Sequence, residues 1–340
     1  MSKSNSLTVS AAAVAAIAWA GSALAADLAV KAPAAAPADN SSFFIVNDNS
    51  VSFTWAPTAT DPGVDFNNHP AFNKYTGEFT HFDVWQYGTN LLDLNYIKSD
   101  KNDPVQGTLG ATGAVEEFAL WRSTLGGNQL THSKMFSSFL FKNIELEFGG
   151  NFNTENNQLA PQYQAYMIGP RFDLNLPGQV DLAVLAYKEF NHNQFLAIGQ
   201  FSGDTDFKWA PRLELDVMEP LTFLPWPVTF INRTAVTFPK GFGISQANVA
   251  ALCSAAGPNN CSQSNPLSQD TKTEVRTDSR LSLDASKLWF NKPGIWDVYV
   301  GYRYWYNKFG TDHNAVLFSE LAPNSAIEST AYLGMTYHFK

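Results

Sequence analysis

The C-terminal segment, from Ala326 to Phe339, constrains the fold more than any other part of the sequence. Small or polar residues there alternate with the apolar residues Ala331, Leu333, Met335, Tyr337 and Phe339, and only Lys340 follows. A period of two predicts a β-strand with one apolar face. A final apolar strand with aromatic residues at its end is typical of the strand that closes a transmembrane β-barrel. A soluble sandwich can also end in such an edge strand, so the rest of the chain must decide.

The N-terminal segment has the pattern of a secretory signal. Lys3 precedes an apolar run from Leu7 to Ala20, and Ala23-Leu24-Ala25 provides a small-x-small cleavage pattern. We therefore expect a signal peptide over residues 1–25 and an exported mature chain. The Ala- and Pro-rich residues 26–47 are expected to form a periplasmic linker, which leaves 48–340 for an outer-membrane domain.

The charge bears on one class of partner, and the cysteines bear on a disulfide. The net charge of −9 argues against a nucleic-acid partner. The only cysteines, Cys253 and Cys261, flank a Gly-Pro-Asn-Asn turn, which in an exported chain predicts a loop disulfide rather than free thiols. No other metal-ligating side chain lies near them. We expect no metal and no cofactor.

Twelve segments have strand-like patterns, and twelve is an even number, as single-chain bacterial barrels require. Long gaps rich in Asn, Asp, Gly and Ser alternate with shorter ones. With the N-terminus in the periplasm, the long gaps, including 239–273, become external loops. Strands of about ten residues with aromatic ends favour a barrel over a sandwich. The predicted strands are Asn49–Pro57, Gly77–Trp85, Leu91–Lys98, Val115–Leu125, Phe136–Gly149, Gln162–Asn175, Val180–Phe190, Asp206–Val217, Val228–Phe238, Glu274–Trp289, Ile295–Asn307 and the closing strand.

The predicted fold is therefore all-β, a transmembrane antiparallel β-barrel of about twelve strands. A monomer is expected because the chain is too short for the roughly sixteen strands of trimeric porins. The location that follows is the bacterial outer membrane, with membrane lipid and lipopolysaccharide as surroundings.

Several stretches resemble the Tsx-type nucleoside-specific channel family of bacterial outer membranes. The most specific stretch is Phe79-Thr-His-Phe-Asp-Val-Trp-Gln-Tyr-Gly-Thr-Asn90, and Glu116–Leu125, Ile168–Asp173 and Ala186–Asn193 follow in order. The resemblance covers most of the mature chain and implies a monomeric twelve-stranded barrel with a narrow lumen through which nucleosides pass. The long 241–272 segment with its cysteine pair departs from the family's pattern, in a place where a loop could narrow the mouth.

A nucleoside channel needs aromatic surfaces for the base and charged hydrogen-bonding groups for the sugar. Stacking contributes about 1–3 kcal/mol per base, and binding must stay weak enough for release. The aromatic candidates on the expected lumen face are Phe79, Trp85, Tyr187, Tyr299, Trp305 and Tyr332. The polar candidates are His81, Asp83, Asp93, Glu117, Arg122, Arg171, Glu189, Arg212, Glu214 and Arg303. Glu117 and Arg122 have an odd spacing, so both can face inward only across a bulge.

Three alternatives stay open at this point. Each candidate residue can brace the wall instead of contacting a solute. The channel can serve another small solute, such as a sugar or an aromatic acid, or the barrel can be a non-conducting structural one. An enzyme is not expected, because phosphate-binding glycine loops, His-Glu-x-x-His and Gly-x-Ser-x-Gly are all absent from the sequence.

Overall fold

The computed structural model describes residues 43–62, 71–103, 112–156, 162–192, 204–241, 271–313 and 326–339. These residues form one antiparallel sheet of thirteen strands. The strands are β1 (Phe44–Ala59), β2 (Phe72–Trp85), β3 (Gly88–Ser99), β4 (Val115–Gly126), β5 (Phe141–Glu155), β6 (Gln162–Leu174), β7 (Gln179–His192), β8 (Asp204–Asp206), β9 (Ala210–Pro220), β10 (Val228–Thr237), β11 (Glu274–Asp284), β12 (Trp296–Tyr306) and β13 (Ile327–Phe339). Two short helices, Gly127–Thr131 and Ala285–Phe290, and a 3₁₀ turn, Lys308–Gly310, lie between strands. Within the described residues, no helix is long and apolar enough to cross a membrane.

The sheet closes on itself. β1 pairs with both β2 and β13, and β6 pairs with both β5 and β7, so the ladder of hydrogen bonds continues around a full circle. The short β8 and the longer β9 both pair with β7 and share one position in the wall. Twelve positions result, which confirms the predicted twelve-stranded antiparallel barrel. Closure matters physically because it leaves no unpaired strand edge.

The polarity of the barrel is the inverse of that of a soluble protein. On β13, the side chains of Glu328, Thr330 and Tyr332 are buried inside, whereas Leu333 and Met335 are exposed outside. Residues paired across an antiparallel ladder share a face, so the strand registers carry this assignment around the wall. The outer face carries exposed apolar side chains on many strands: Val51, Phe53, Leu94, Leu146, Ile168, Val184, Leu281 and Val300.

The two ends of the barrel differ. The start of β1, the end of β13 and the short connections lie at one end, which we call the turn end. The opposite, loop end carries the connections that contain the undescribed segments. β1 already begins at Phe44, so the last residues of the predicted linker 26–47 belong to the barrel wall. The predicted signal peptide and the predicted Cys253–Cys261 disulfide lie outside the described residues.

Some strands begin or end at residues other than those predicted, because side chains bond to the backbone of the adjoining turn or helix. The tenth predicted strand, Glu274–Trp289, ends at Asp284 because the Asp284 carboxylate accepts a hydrogen bond from the Lys287 backbone N–H at 2.7 Å and starts a helix. The fifth predicted strand begins at Phe141 rather than at Phe136, since the Phe136 N–H donates to the Asn128 side chain at 2.9 Å within a turn. The eighth is interrupted over residues 207–209.

Candidate functional site

Five of the predicted lumen residues lie on the outer face. Phe79, His81, Asp83 and Trp85 share the face of Phe53 through the β1–β2 register, and Phe53 is exposed on the apolar exterior. Glu117 pairs with Tyr96, which is also outside. The prediction that these five side chains face the lumen was wrong. The odd spacing of Glu117 and Arg122 is resolved without a bulge, because Arg122 faces inward and Glu117 outward.

Two polar members of this outer group, His81 and Asp83, bond to each other near the turn end. His81 Nδ1 lies 2.8 Å from Asn49 Oδ1, and its Nε2 lies 3.2 Å from Asp83 Oδ2. Asp83 also accepts a hydrogen bond from Asn90 Nδ2 at 2.9 Å. The carboxylate is therefore partnered within the outer wall and does not reach a solute in the lumen.

A network of arginines and carboxylates crosses the lumen. Arg122 on β4 donates to Glu214 on β9 through Nε at 3.2 Å and Nη2 at 2.9 Å, although β5, β6 and β7 separate these strands in the wall. Both side chains are almost fully buried, with 3% and 2% of their residue surface exposed. Arg171 extends the network to Glu147 and Asp181 at 3.1 and 2.6 Å. The two hydrogen bonds from Arg122 to Glu214 hold both side chains in place across the lumen, and the passage is narrower there.

A pocket lies beside this network inside the lumen. Its empty volume is about 440 Å³, including the part open to the rest of the lumen. Residues from opposite walls line it, since Asn151 lies on β5 and Trp305 on β12. Arg212 joins the pocket to the network by donating to Glu214 at 2.6 Å. The remaining lining residues are Tyr163, Tyr187, Glu189, Ala235, Thr237, Glu274, Arg276 and Phe309.

On the β11–β12 side, the pocket combines aromatic rings with both signs of charge. Trp305 donates its indole N–H to Glu274 Oε1 at 2.6 Å and contacts the ring of Phe309 at a centroid distance of 5.1 Å. The Arg276 guanidinium lies 4.9 Å from the Trp305 ring centroid, and Lys308 Nζ lies 4.4 Å from it. Two protein cations therefore already contact the indole by cation–π interactions.

The facing side repeats the combination with deeper burial. The Tyr187 hydroxyl donates to Glu189 Oε2 at 2.7 Å, and the Arg212 guanidinium lies 5.2 Å from the tyrosine ring centroid. Lys240, which is buried, forms an ion pair with Glu189. Since Tyr187 is also buried, its ring packs within the wall. Phe309 is exposed, and Trp305 and Tyr163 are half-buried, so these rings are more accessible than that of Tyr187.

A buried lysine fixes the turn that carries Phe309. Lys308 Nζ donates to Asp61 Oδ1 at 2.6 Å and to Glu328 Oε2 at 2.5 Å. Burial alone would raise the pKa of the Asp61 carboxyl, but the ammonium groups of Lys308 and Lys74 outweigh burial and lower this pKa from 3.8 to about 2. The cluster therefore links the end of β1 to the 3₁₀ turn and β13.

Tyr299 and Tyr332 face the lumen but lie flat on its wall. Each is buried, and each covers a glycine on the neighbouring strand, Gly334 and Gly301 respectively. The Tyr299 hydroxyl hydrogen-bonds the Thr54 hydroxyl at 2.6 Å. Both tyrosines therefore brace β12 against β13 rather than offering free surfaces for stacking.

The lumen face contains eleven of the sixteen candidates, and four of these line the pocket. Tyr187, Glu189, Arg212 and Trp305 are the four. The others on the lumen face are Asp93, which is paired with Thr80, then Arg122, Arg171, Glu214, Tyr299 and Tyr332, and Arg303, which donates to Asp278 at 2.7 Å.

The sequence prediction omitted Asn151, Tyr163, Glu274, Arg276 and Phe309. For Glu274 and Arg276 a signal was present, since they share the even-numbered face of β11 with Arg280 and Asp284. Tyr163 lies in line with the buried Ala165 and Met167, an apolar pattern that gave no indication of a lumen face. Phe309 lies in a turn, where the period-two alternation that identifies strand residues does not apply.

Comparisons with known proteins return structural likenesses alone. No family model matches the sequence, and no curated protein matches it. The translocator domain of autotransporter NalP from Neisseria meningitidis is 9% identical, with 86% of this chain and 89% of that chain covered and a TM-score of 0.36. The β domain of the Bordetella autotransporter BrkA is 7% identical, with 86% and 99% covered and a TM-score of 0.35. Pseudomonas aeruginosa OccK5 (OpdH) is 8% identical, with 87% and 99% covered and a TM-score of 0.27.

The inverted polarity decides the location. A closed barrel satisfies every ladder hydrogen bond within its wall, and its apolar exterior requires a hydrocarbon environment. An even number of strands with a charged interior is the architecture of bacterial outer-membrane barrels. The protein is an antiparallel twelve-stranded barrel of the bacterial outer membrane, as predicted, with a polar lumen that side chains partly fill.

Proposed function

We propose that this barrel is a passive outer-membrane channel that binds nucleosides, or similar small ring-bearing solutes, weakly in the lumen pocket. The pocket itself carries the proposal, because it places accessible aromatic rings beside carboxylates and guanidinium groups. The turn end faces the periplasm in this proposal, and the channel is a monomer.

The chemistry assigns separate roles to the two kinds of group. Phe309 and the guanidinium–indole pair of Arg276 and Trp305 offer flat surfaces to a base, because guanidinium planes and aromatic rings both stack on π-systems. Glu274 and Glu189 line the pocket and provide carboxylate acceptors for the hydroxyl groups of a sugar. No covalent step or energy input is involved, since flux follows the gradient.

The test is single-channel conductance of the refolded mature protein in a planar bilayer, titrated with adenosine, thymidine, glucose and free bases. Nucleosides should block at lower concentration than glucose. Phe309→Ala should weaken the nucleoside block by about 5- to 150-fold if its ring stacks on the base, which corresponds to about 1–3 kcal/mol. Trp121→Ala is the matched control, because Trp121 lies on the outer face against Phe148.

The titration separates the remaining candidates. A conducting pore that responds equally to nucleosides and glucose would remove the proposed substrate and leave a porin-like channel for another small solute. A second candidate, a non-conducting barrel, is favoured by the Arg122–Glu214 pair that crosses the lumen. The absence of conductance under all conditions would support that candidate and contradict the channel.

A further inference from the structure

Two short segments at the turn end are built alike and lie on opposite sides of the barrel. Residues 127–140 connect β4 to β5, and residues 285–295 connect β11 to β12; we call these segments the two feet. Six wall positions separate them in either direction around the sheet. Each contains one short helix. The feet therefore project from the barrel as a diametric pair.

Side-chain hydrogen bonds give both feet a defined shape. In the first foot, Asn128 Nδ2 donates to Ser137 Oγ at 2.7 Å. In the second, Ser286 Oγ accepts from the Ile295 N–H at 3.1 Å, and Asp284 caps the helix. The polar groups therefore bond within each foot, while most of its large apolar side chains are exposed.

Large apolar side chains on the feet are among the most exposed in the structure. Phe139 is 84% exposed and Phe290 is 63% exposed. Trp289 packs on Trp296 at a ring distance of 5.1 Å, and Trp296 shares the apolar outer face with its partner Tyr337. The feet therefore continue the lipid-facing belt beyond the strand ends, at the level where aromatic residues meet lipid headgroups.

The charge of the feet has one sign. Lys134, Lys287 and Lys292 are exposed and form no ion pair among the described residues, and neither segment contains an Asp or Glu. The Asp284 carboxylate, which borders the second foot, is bonded to the backbone N–H groups of Lys287 and Gly294, and a net positive charge remains on the feet. Apolar side chains combined with unpaired lysines form the kind of surface that lies in a membrane interface and attracts anionic lipid. A zwitterionic lipid would satisfy the apolar groups but leave the excess positive charge without a counterion.

We propose that the two feet bind anionic phospholipid headgroups at the turn end of the barrel, with the lysines contacting the phosphates and the aromatic side chains entering the acyl region. This binding is independent of solute passage. The preference for anionic lipid comes from the lysines, each of which is expected to favour an anionic over a zwitterionic headgroup by about fivefold.

The experiment uses the refolded full-length barrel in symmetric vesicles, so the result does not depend on orientation. Electron spin resonance measures the association of spin-labelled phosphatidylglycerol relative to spin-labelled phosphatidylcholine. We expect a several-fold preference for phosphatidylglycerol that 0.5 M salt abolishes, because salt at that concentration screens exposed charges. The combined variant Lys134→Gln, Lys287→Gln, Lys292→Gln should bring the ratio close to one.

The matched control for charge lies at the loop end. The variant Lys98→Gln, Lys101→Gln, Lys272→Gln removes the same number of lysines there and should retain the preference for phosphatidylglycerol. Phe139→Gln with Trp289→Gln should weaken the retention of both lipids and leave their ratio unchanged. An equal ratio for both lipids in the unmodified protein, an unaltered ratio in the first variant, or an equal loss in the loop-end control would each overturn the proposal. If the combined variant fails to fold, Lys134→Gln and Lys287→Gln are tested singly, and each must lower the ratio.

Discussion

Replacing Arg122 with alanine tests the cross-lumen network most directly. Arg122 makes five hydrogen bonds, two of them to Glu214, and its Nε also lies 3.5 Å from Glu147. Without its guanidinium, two buried carboxylates face each other across the lumen. Arg212 and Arg171 remain as their counterions, but neither takes the place of the crossing side chain.

The expected loss of stability follows from this burial. Removing one partner of a buried ion pair costs about 3–5 kcal/mol. We expect a value near the lower limit, about 3 kcal/mol, because water from the lumen can enter the space and two other arginines stay nearby. That energy lowers the folding equilibrium constant by roughly 150-fold. Conductance should rise because the crossing side chain is gone, and selectivity should shift towards cations because the lumen loses a positive charge.

Urea unfolding of the barrel in vesicles, followed by tryptophan fluorescence, measures the first effect, and planar-bilayer recordings with a salt gradient measure the second. Arg122→Lys keeps the charge but loses the two-bond fork to Glu214, so an intermediate loss is expected. Arg122→Met with Glu214→Met removes both charges and should recover most of the stability. If Arg122→Ala changes neither the unfolding free energy nor the conductance, the Arg122–Glu214 pair does not occlude the lumen. A double variant as unstable as the single one would show that unpaired charge is not the cause.

Two further predictions concern packing and pH. Gly301→Val should destabilise the barrel by about 1–3 kcal/mol in the same urea assay, because even a Cβ at this position would lie 2.2 Å from the Tyr332 ring. Gly77→Val is the control and should be close to neutral, since the nearest atom to a Cβ there would be 4.0 Å away. Equal losses of stability in the two variants would contradict the packing argument. The pKa of Asp61 is depressed in the folded barrel, so its contribution of about 2 kcal/mol is present above pH 4 and is lost as the pH falls towards 2. Thermal unfolding between pH 2 and pH 6 should show a loss of stability that is larger in the unmodified protein than in Asp61→Asn by this amount. Parallel pH curves for the two proteins would refute the role of the Lys308–Asp61 contact.

Periodicity in the sequence was sufficient for the closing strands. On β11, β12 and β13, charged or aromatic lumen residues alternate with Leu, Val and Tyr, so one face is clearly more polar. Burial and register confirm the predicted faces there. The contrast between the faces is strong because one side must contact hydrocarbon and the other water, and a period of two transmits that requirement directly into the sequence.

The same argument failed on β2, where both faces mix aromatic and polar residues. His81 and Asp83 gave their face a polar character, yet the β1–β2 register places them on the exterior with Phe53. Near the rim of the barrel, polar side chains are tolerated outside because they bond to one another, as His81 does with Asn49. Periodicity identifies two faces, but when both are mixed it does not tell which of them is inside.

The sequence by itself determined the strand number, the closing strand and the class of protein, since these follow from short-range alternation and from turn composition. The tertiary structure alone decided which lumen residues meet. Arg122 and Glu214 are 92 residues apart and lie on strands that are not neighbours in the wall. Phe309 reaches the pocket from a turn held by a buried lysine. Contacts of this kind depend on how the sheet curves and closes, and no local pattern in a chain records the curvature of the whole wall.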